Sequence, residues 1–348
     1  MIHIETGRLG QFVGAIFEAA GCGADEARIV ADHLVDSNAV GHDSHGVIRI
    51  TSYLRWIADG KVVPGQRVSV VRERPAFLAL DGNFGFGQTV AHEAMEMGID
   101  RARRHGTCSL TLRNAGHIGR VGAFAEMAAL EGLVTLHFVN TSGFALLVAP
   151  FGGIDRRLSA NPIAAGFPVA GREPIVVDVA TATVAEGKIM VAINKGEQLP
   201  PGAIIDGHGR PTTDPGDFYA TPPGAILPFG GHKGSALSVV CEAFAGALTG
   251  GGATNPGNAT AGRLVNNLFC LLLDPGMLEI GEYDAEMARF AQWVTSARPA
   301  APGGEVLLPG DVERRVRAQR QASGIPLDAA TVAQLNEAAA GVGLGDRL

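Results

Sequence analysis

The chain has 348 residues, 46% hydrophobic and 18% charged, with a formal net charge of -7. That composition supports a packed core and excludes a disordered polymer, and the length suits one large domain or two modest ones. No Lys/Arg-rich run interleaves with aromatics, which argues against nucleic acid as a partner.

Cys22, Cys108, Cys241 and Cys270 stand far apart without a CxxC pair. Neither a structural zinc site nor a redox motif is suggested, and reduced thiols in a cytoplasmic protein are expected. The first residues lack a basic segment followed by an apolar one, so no signal peptide is expected. The most apolar stretch, residues 264–273, is broken by Asn266 and Asn267 and is too short to span a membrane.

In chain order, Leu9, Phe12, Val13, Ile16 and Phe17 recur at helical spacing, and Gly21 and Gly23 stop the helix. A second helix is predicted over 24–39, with Asp25 and Glu26 suiting its N-terminal dipole. A third pattern carries Ile48, Tyr53, Leu54 and Ile57. From residue 68 onward β-rich runs appear at 68–71, 77–80, 108–112, 134–139, 175–179 and 269–273. Helical patterns fall between several of them, at 88–105, 122–130, 184–194 and 235–248. This alternation predicts a layered α/β domain. Residues 196–231 are rich in Pro and Gly and read as a long functional loop or lid. Residues 249–262 form a second Gly/Asn-rich loop. Two tail helices are marked by Ala288, Phe290 and Trp293, and by Val332, Leu335 and Ala338.

The densest polar cluster is Gly41-His42-Asp43-Ser44-His45-Gly46, with Arg49 one turn beyond His45. A His can trade a proton near neutrality while Asp or Ser fixes its tautomer, and Arg49 can grip a carboxylate through two parallel hydrogen bonds. The same residues could equally be a capped helix start. His117 lies in Gly116-His117-Ile118-Gly119-Arg120 between a strand and a helix, where α/β proteins place ligands; a solvated surface turn is the alternative. His232-Lys233-Gly234 opens a helix after the long loop and would suit a phosphate, unless Lys233 is simply solvated. Gly85-Phe86-Gly87 lacks the third glycine of a dinucleotide fingerprint, and turn geometry explains it better. His42 and His45 could also be metal ligands with Asp43 or His117, but no HExxH motif accompanies them. A non-catalytic binding protein would leave three His-bearing junctions without purpose.

These clusters resemble the malate/L-lactate dehydrogenase family of type 2. Besides the two His motifs, the matching stretches include Val148-Ala149-Pro150-Phe151-Gly152-Gly153, Asn161-Pro162-Ile163-Ala164, Asp178-Val179-Ala180-Thr181, Pro211-Thr212-Thr213-Asp214-Pro215 and Leu308-Pro309-Gly310-Asp311. They run in order along nearly the whole chain. The resemblance implies an α/β fold with a non-Rossmann, mixed-sheet cofactor domain over 73–282. A helical domain built from 1–72 with 283–348 would complete it, in a homodimer. It implies no bound metal, and NAD as the cofactor, with NADP also open. The reaction would interconvert a small 2-hydroxy acid and its 2-oxo acid.

By the same resemblance, His45 is the expected proton donor with Ser44 and Asp43 in support, and His117 is the second candidate. Arg49 and Asn161 would hold the substrate. His45, Gly119, Arg120, Val121, Thr141, Asp178, Val179, Ala180, His232, Lys233, Asn266, Pro309, Gly310 and Asp311 would line the cofactor. Related cyclic-imine reductases, acting on piperideine- and pyrroline-2-carboxylates, share the Gly230–Leu237 stretch. They usually carry an acid in place of Lys188 and lack the His117–Arg120 form, which favours the hydroxy-acid branch. Ser159-Ala160 stand where the family usually has Gly-Thr, and this leaves the particular acid open.

Overall fold

Helical spacing at the N-terminus gives helices. In the computed structural model, which describes every residue except 144, 145, 259, 261 and 280, strand β1 (Ile2–Ile4) leads into α1 (Thr6–Ala19) and α2 (Ala24–Ala39). The Glu5 carboxylate accepts the Gly7 and Arg8 N–H groups and so caps α1. Leu9, Phe12, Val13, Ile16 and Phe17 form its buried stripe. Two single turns of 3-10 helix, Asp43–His45 and Val47–Arg49, precede α3 (Ile50–Ala58).

The α/β portion contains β2 (Ser69–Arg74), β3 (Phe77–Asp81), α4 (Gly87–His105), β4 (Thr107–Ala115), α5 (Gly122–Leu130), β5 (Val134–Ser142), β6 (Pro162–Phe167), β7 (Ile175–Ala180), α6 (Glu186–Lys195), β8 (Ile204–Ile205), β9 (Pro211–Thr212), β10 (Ala225–Ile226), α7 (His232–Cys241) and β11 (Val265–Leu273). Seven strands form one mixed sheet in the order β2-β3-β4-β11-β5-β6-β7. Among the described residues of this sheet only β3 and β4 pair in parallel, and α4 supplies the crossover such a pair needs. The mixed pairing is not the doubly wound parallel sheet that carries the Gly-rich dinucleotide fingerprint. Leu78, Leu110, Leu268 and Leu272 from the sheet bury against Val90 and Met95 of α4 and Phe124 of α5.

The chain closes with α8 (Tyr283–Thr295), α9 (Asp311–Ser323), β12 (Ile325–Leu327) and α10 (Ala329–Gly341). β12 pairs antiparallel with β1, Ile4 opposite Ile325. Leu9, Phe12 and Phe17 share a core with Ile325, Leu327, Val332 and Leu335, so both chain ends build one cluster. α8 instead buries Ala291 against Val169, Ile175 and Leu308.

Three expectations need correction. Residues 196–231 are not a loop without elements: β8, β9 and β10 form a small sheet over buried Leu199, Ala203, Ile204, Phe218 and Ile226. Two-residue strands broken by Pro and Gly leave no period to read. α9 went unseen because none of its 13 residues is buried, so it has no apolar stripe. The helix read over 235–248 is two segments, α7 and a π-helical turn at Glu242–Leu248.

Candidate active site

The polar segment after α2 is shaped by Asn38, which is 2% exposed. Its Oδ1 accepts the Val47 N–H at 2.8 Å and its Nδ2 donates to Asp43 Oδ1 at 2.7 Å. Gly46 passes so close that a Cβ would stand 2.1 Å from Asn38 Oδ1. Asp43 therefore points back toward α2, where Arg320 of α9 also binds it, donating from Nη1 at 2.6 Å. It makes no hydrogen bond to His45, contrary to the expected support. Ser44 contributes its carbonyl, which accepts Arg49 Nε at 2.6 Å. Among the described residues the two terminal amino groups of Arg49 have no partner, so the fork is free for a ligand.

His45 and His117 come together. Their rings stack with centroids 5.4 Å apart and planes inclined by 7°. His117 Nδ1 lies 2.7 Å from the Tyr53 hydroxyl, which in turn accepts Gln88 Nε2–H at 2.7 Å. His45 Nδ1 is buried without a hydrogen-bond partner. Burial first, and the Arg49 charge second, depress both imidazoles: His45 falls to about 3 and His117 well below its ordinary value. Both rings are neutral at pH 7.

The turn carrying His117 is held from two sides. Ile118 N–H donates to Asn266 Oδ1 at 3.0 Å, while Asn266 Nδ2 donates to Thr141 Oγ1 at 3.0 Å. Gly87 abuts the turn: a Cβ there would lie 2.3 Å from the Gly116 carbonyl oxygen. Close packing at the start of α4 accounts for Gly85-Phe86-Gly87 and ties that motif to the His117 turn. Thr141 and Asn266 thus sit behind His117, and Asn266 makes its bonds inside the protein.

A cleft next to this centre is lined by Val40, His42, Arg120, Asp178, Gly310, Glu313 and Arg314. Asp178 Oδ2 accepts the Gly122 N–H at the start of α5 at 2.8 Å, and burial raises the Asp178 carboxyl above its usual range. Val176 N–H donates to the Pro309 carbonyl, which brings the Pro309-Gly310-Asp311 turn alongside β7. Asp311 accepts Leu308 N–H, Arg172 and Arg314. Arg120, 3% exposed, donates to Asp36 and Glu126, which Arg317 also binds. Gly119 has φ +77° and packs on His33; Val121 is buried beside it, whereas Val179 is 45% exposed and Ala180 follows at the strand end. His42 turns to Glu313 at 3.4 Å, away from His45. Among the described residues no group of three or more His, Cys, Asp or Glu gathers as metal ligands do.

Three expected site residues make no hydrogen bond to the His pair. Asn161 is fully buried, and its Nδ2 donates to Glu242 Oε1 at 2.7 Å. His232 and Lys233 open α7 as exposed residues, His232 edge-on to Phe151. Sequence reasoning missed Asn38, Gln88 and the role of Tyr53. For Tyr53 a signal was available, since a buried tyrosine hydroxyl needs a partner.

The malate/L-lactate dehydrogenase family profile matches residues 4–336. Hydroxycarboxylate dehydrogenase B of Escherichia coli (strain K12) is 40% identical over 97% of this chain and 93% of its own length. An L-lactate dehydrogenase of Cupriavidus necator is 43% identical over 85% of each chain. A solved Escherichia coli structure of the malate/lactate dehydrogenase type matches with a TM-score of 0.94 and 38% identity, covering 99% of this chain and 97% of the other. The chain belongs to the malate/L-lactate dehydrogenase family, whose members are oxidoreductases acting on hydroxy acids.

Proposed function

We propose that this protein interconverts an open-chain 2-hydroxy acid and its 2-oxo acid, with NAD as the hydride carrier and His117 as the proton donor and acceptor. The observation that carries the reading is the free Arg49 fork beside a stacked, neutral His pair. A guanidinium binds a carboxylate through two parallel hydrogen bonds, which would fix the acid with its C2 oxygen toward the imidazoles. His117 is favoured over His45 because its Nδ1 has an orienting partner in Tyr53, leaving Nε2 for the substrate. His45 Nδ1 has no such partner. His45 would instead flank the reacting carbonyl as a second polar group.

The cleft is read as the contact for one ribose of the dinucleotide. Asp178 and Glu313 offer acceptors to ribose hydroxyls, while Arg314 and Arg120 are engaged with Asp311 and with Asp36 and Glu126. A 2′-phosphate would meet acids there rather than an uncommitted cation, which supports NAD over NADP. When bound, the nicotinamide supplies the hydride at C2. The chain's own part is to hold the carboxylate on Arg49, keep the oxygen against His117 and pass a proton between Nε2 and that oxygen. A carboxylate on Arg49 also offsets the cation that depresses His117, so substrate binding raises its proton affinity. The exposed Lys233 at the start of α7 is proposed as a phosphate contact.

The test is reduced-nicotinamide absorbance against a panel of 2-oxo acids and cyclic imines, each with NADH and NADPH. Turnover of an oxo acid with NADH, faster than with NADPH, is the expected result. Turnover of the imines alone would move the chain to the imine-reductase branch, and NADPH preference would contradict the cleft reading.

A further inference from the structure

Tyr53 sits on α3 and Gln88 on α4. The Tyr53 hydroxyl is 2.7 Å from His117 Nδ1 and 2.7 Å from Gln88 Nε2. Tyr53 and Gln88 are both 1% exposed, so water does not compete for these bonds. A hydroxyl has one proton to give. With Gln88 N–H donating to the hydroxyl oxygen, the Tyr53 proton points to Nδ1, and the neutral ring carries its hydrogen on Nε2. Gln88 Oε1 is left buried and unpartnered. The opposite amide orientation would strand two N–H donors, and buried orphan donors are rarer than orphan carbonyl oxygens.

We infer that Tyr53 and Gln88 are positioning residues forming a reversible hydrogen-bond chain that follows the protonation of His117. While the ring is neutral and waiting, the chain runs Gln88 N–H to Tyr53 O–H to Nδ1. A proton taken up from solvent on Nδ1 gives the imidazolium, whose Nδ1–H donates to Tyr53; Nε2–H then passes to the oxo-acid oxygen, and in the reverse reaction Nε2 of the Nδ1–H ring takes the hydroxy-acid proton. The Tyr53 hydroxyl then reverses, and its proton needs an acceptor. A half-turn of the Gln88 amide puts Oε1 in that place, and the amide N–H groups go unpaired only while Nδ1 carries a hydrogen. An amide is suited to this position because it offers a donor and an acceptor at nearly the same point. The other charged or titratable groups acting on His117 are Arg49, the stacked His45 and His33 of α2, and none of them hydrogen-bonds Nδ1.

The inference rests on His117 as the acid–base group, so His117→Ala is measured beside Tyr53→Phe, Gln88→Leu and the double variant. Readouts are kcat and its pH profile, KM for the oxo acid, cofactor affinity by fluorescence, and the nitrogen-15 resonances of the His117 ring. Tyr53→Phe and Gln88→Leu should each lower kcat about tenfold, part of the roughly 10²–10⁴ a placed acid–base group supplies. KM and cofactor affinity should stay within about twofold, since the Arg49 clamp is untouched. The double variant should be no worse than either single one, because both break the same chain. Wild-type nitrogen shifts should report Nε2–H in the neutral ring, and both variants should show mixed tautomers. Unchanged kcat, pH profile and tautomer in both single variants, with His117→Ala inactive, would overturn the chain while sparing the acid–base reading. An active His117→Ala would overturn both. The two positions lie on different helices, so a folding defect in one variant leaves the other as the test.

Discussion

Arg49 and His117 have different expected signatures on substitution. Arg49→Lys keeps a positive charge but loses the two-pronged fork, so KM for the oxo acid should rise about tenfold or more while cofactor affinity holds. Initial-rate kinetics at several acid concentrations check this, and a KM change confined to the cofactor would contradict it. Asn266→Ala removes the acceptor for Ile118 N–H inside the protein, and should cost about 1–3 kcal/mol in urea unfolding. At this scale the sequence offered candidate residues but not their geometry. Arg49, His45 and His117 stand out in the sequence as candidates because their side chains have few other uses beside Gly-rich turns, and the fold stacks the two His rings. Asp43 looked like a partner for His45 and is instead bound by Asn38 and Arg320 of α9, 277 residues away. Tyr53 was read only as an apolar helix position, because its hydroxyl meets Gln88 and His117 through tertiary packing.

Between elements, α9 is a charged clamp. Arg317 reaches Glu126 of α5 and Asp36 of α2, and Arg120 binds the same two acids from the turn before α5. The Glu126 carboxyl is held below its usual range by Arg317 and Arg120 against the cost of its own burial. Arg120→Met should therefore destabilise the fold by about 3 kcal/mol, because it leaves a largely buried acid short of a partner. Arg317→Ala, on a side chain 25% exposed, should cost less. Denaturant midpoints of the two variants decide it, and the reverse order would contradict the network. α1, α2 and α4 were readable because each buries one stripe of its surface. α9 was not, since its contacts are ionic. β6 escaped because Pro162, two alanines and a glycine leave little β signal.

Across the whole molecule, an α/β composition was visible in the alternation of periods, but strand order was not. Nothing local announces that β11, near residue 270, inserts between β4 and β5, because that pairing is set by packing over long separations. Four imidazoles inside the fold give the molecule a common pH response. Burial lowers His33, His45 and His137 to about 3, and His117 well below its ordinary value. Their folded values lie below the unfolded one, so the unfolded chain binds more protons beneath about pH 6.5. Stability should be full above that pH and should fall as the pH drops toward 3, by up to about 1.4 kcal/mol per unit for each imidazole. Thermal unfolding at pH 7 and pH 5 checks the sign; equal or higher stability at pH 5 would contradict it.

The account turns on a single proton. The most direct measurement is kcat for oxo-acid reduction by His117→Ala and His45→Ala side by side, with cofactor affinity read separately by fluorescence. The account predicts a loss of about 10²–10⁴ for His117→Ala, a clearly smaller loss for His45→Ala, and near-native cofactor affinity for His117→Ala. A larger loss in His45→Ala, with His117→Ala still turning over, would place the proton on the other ring of the stack.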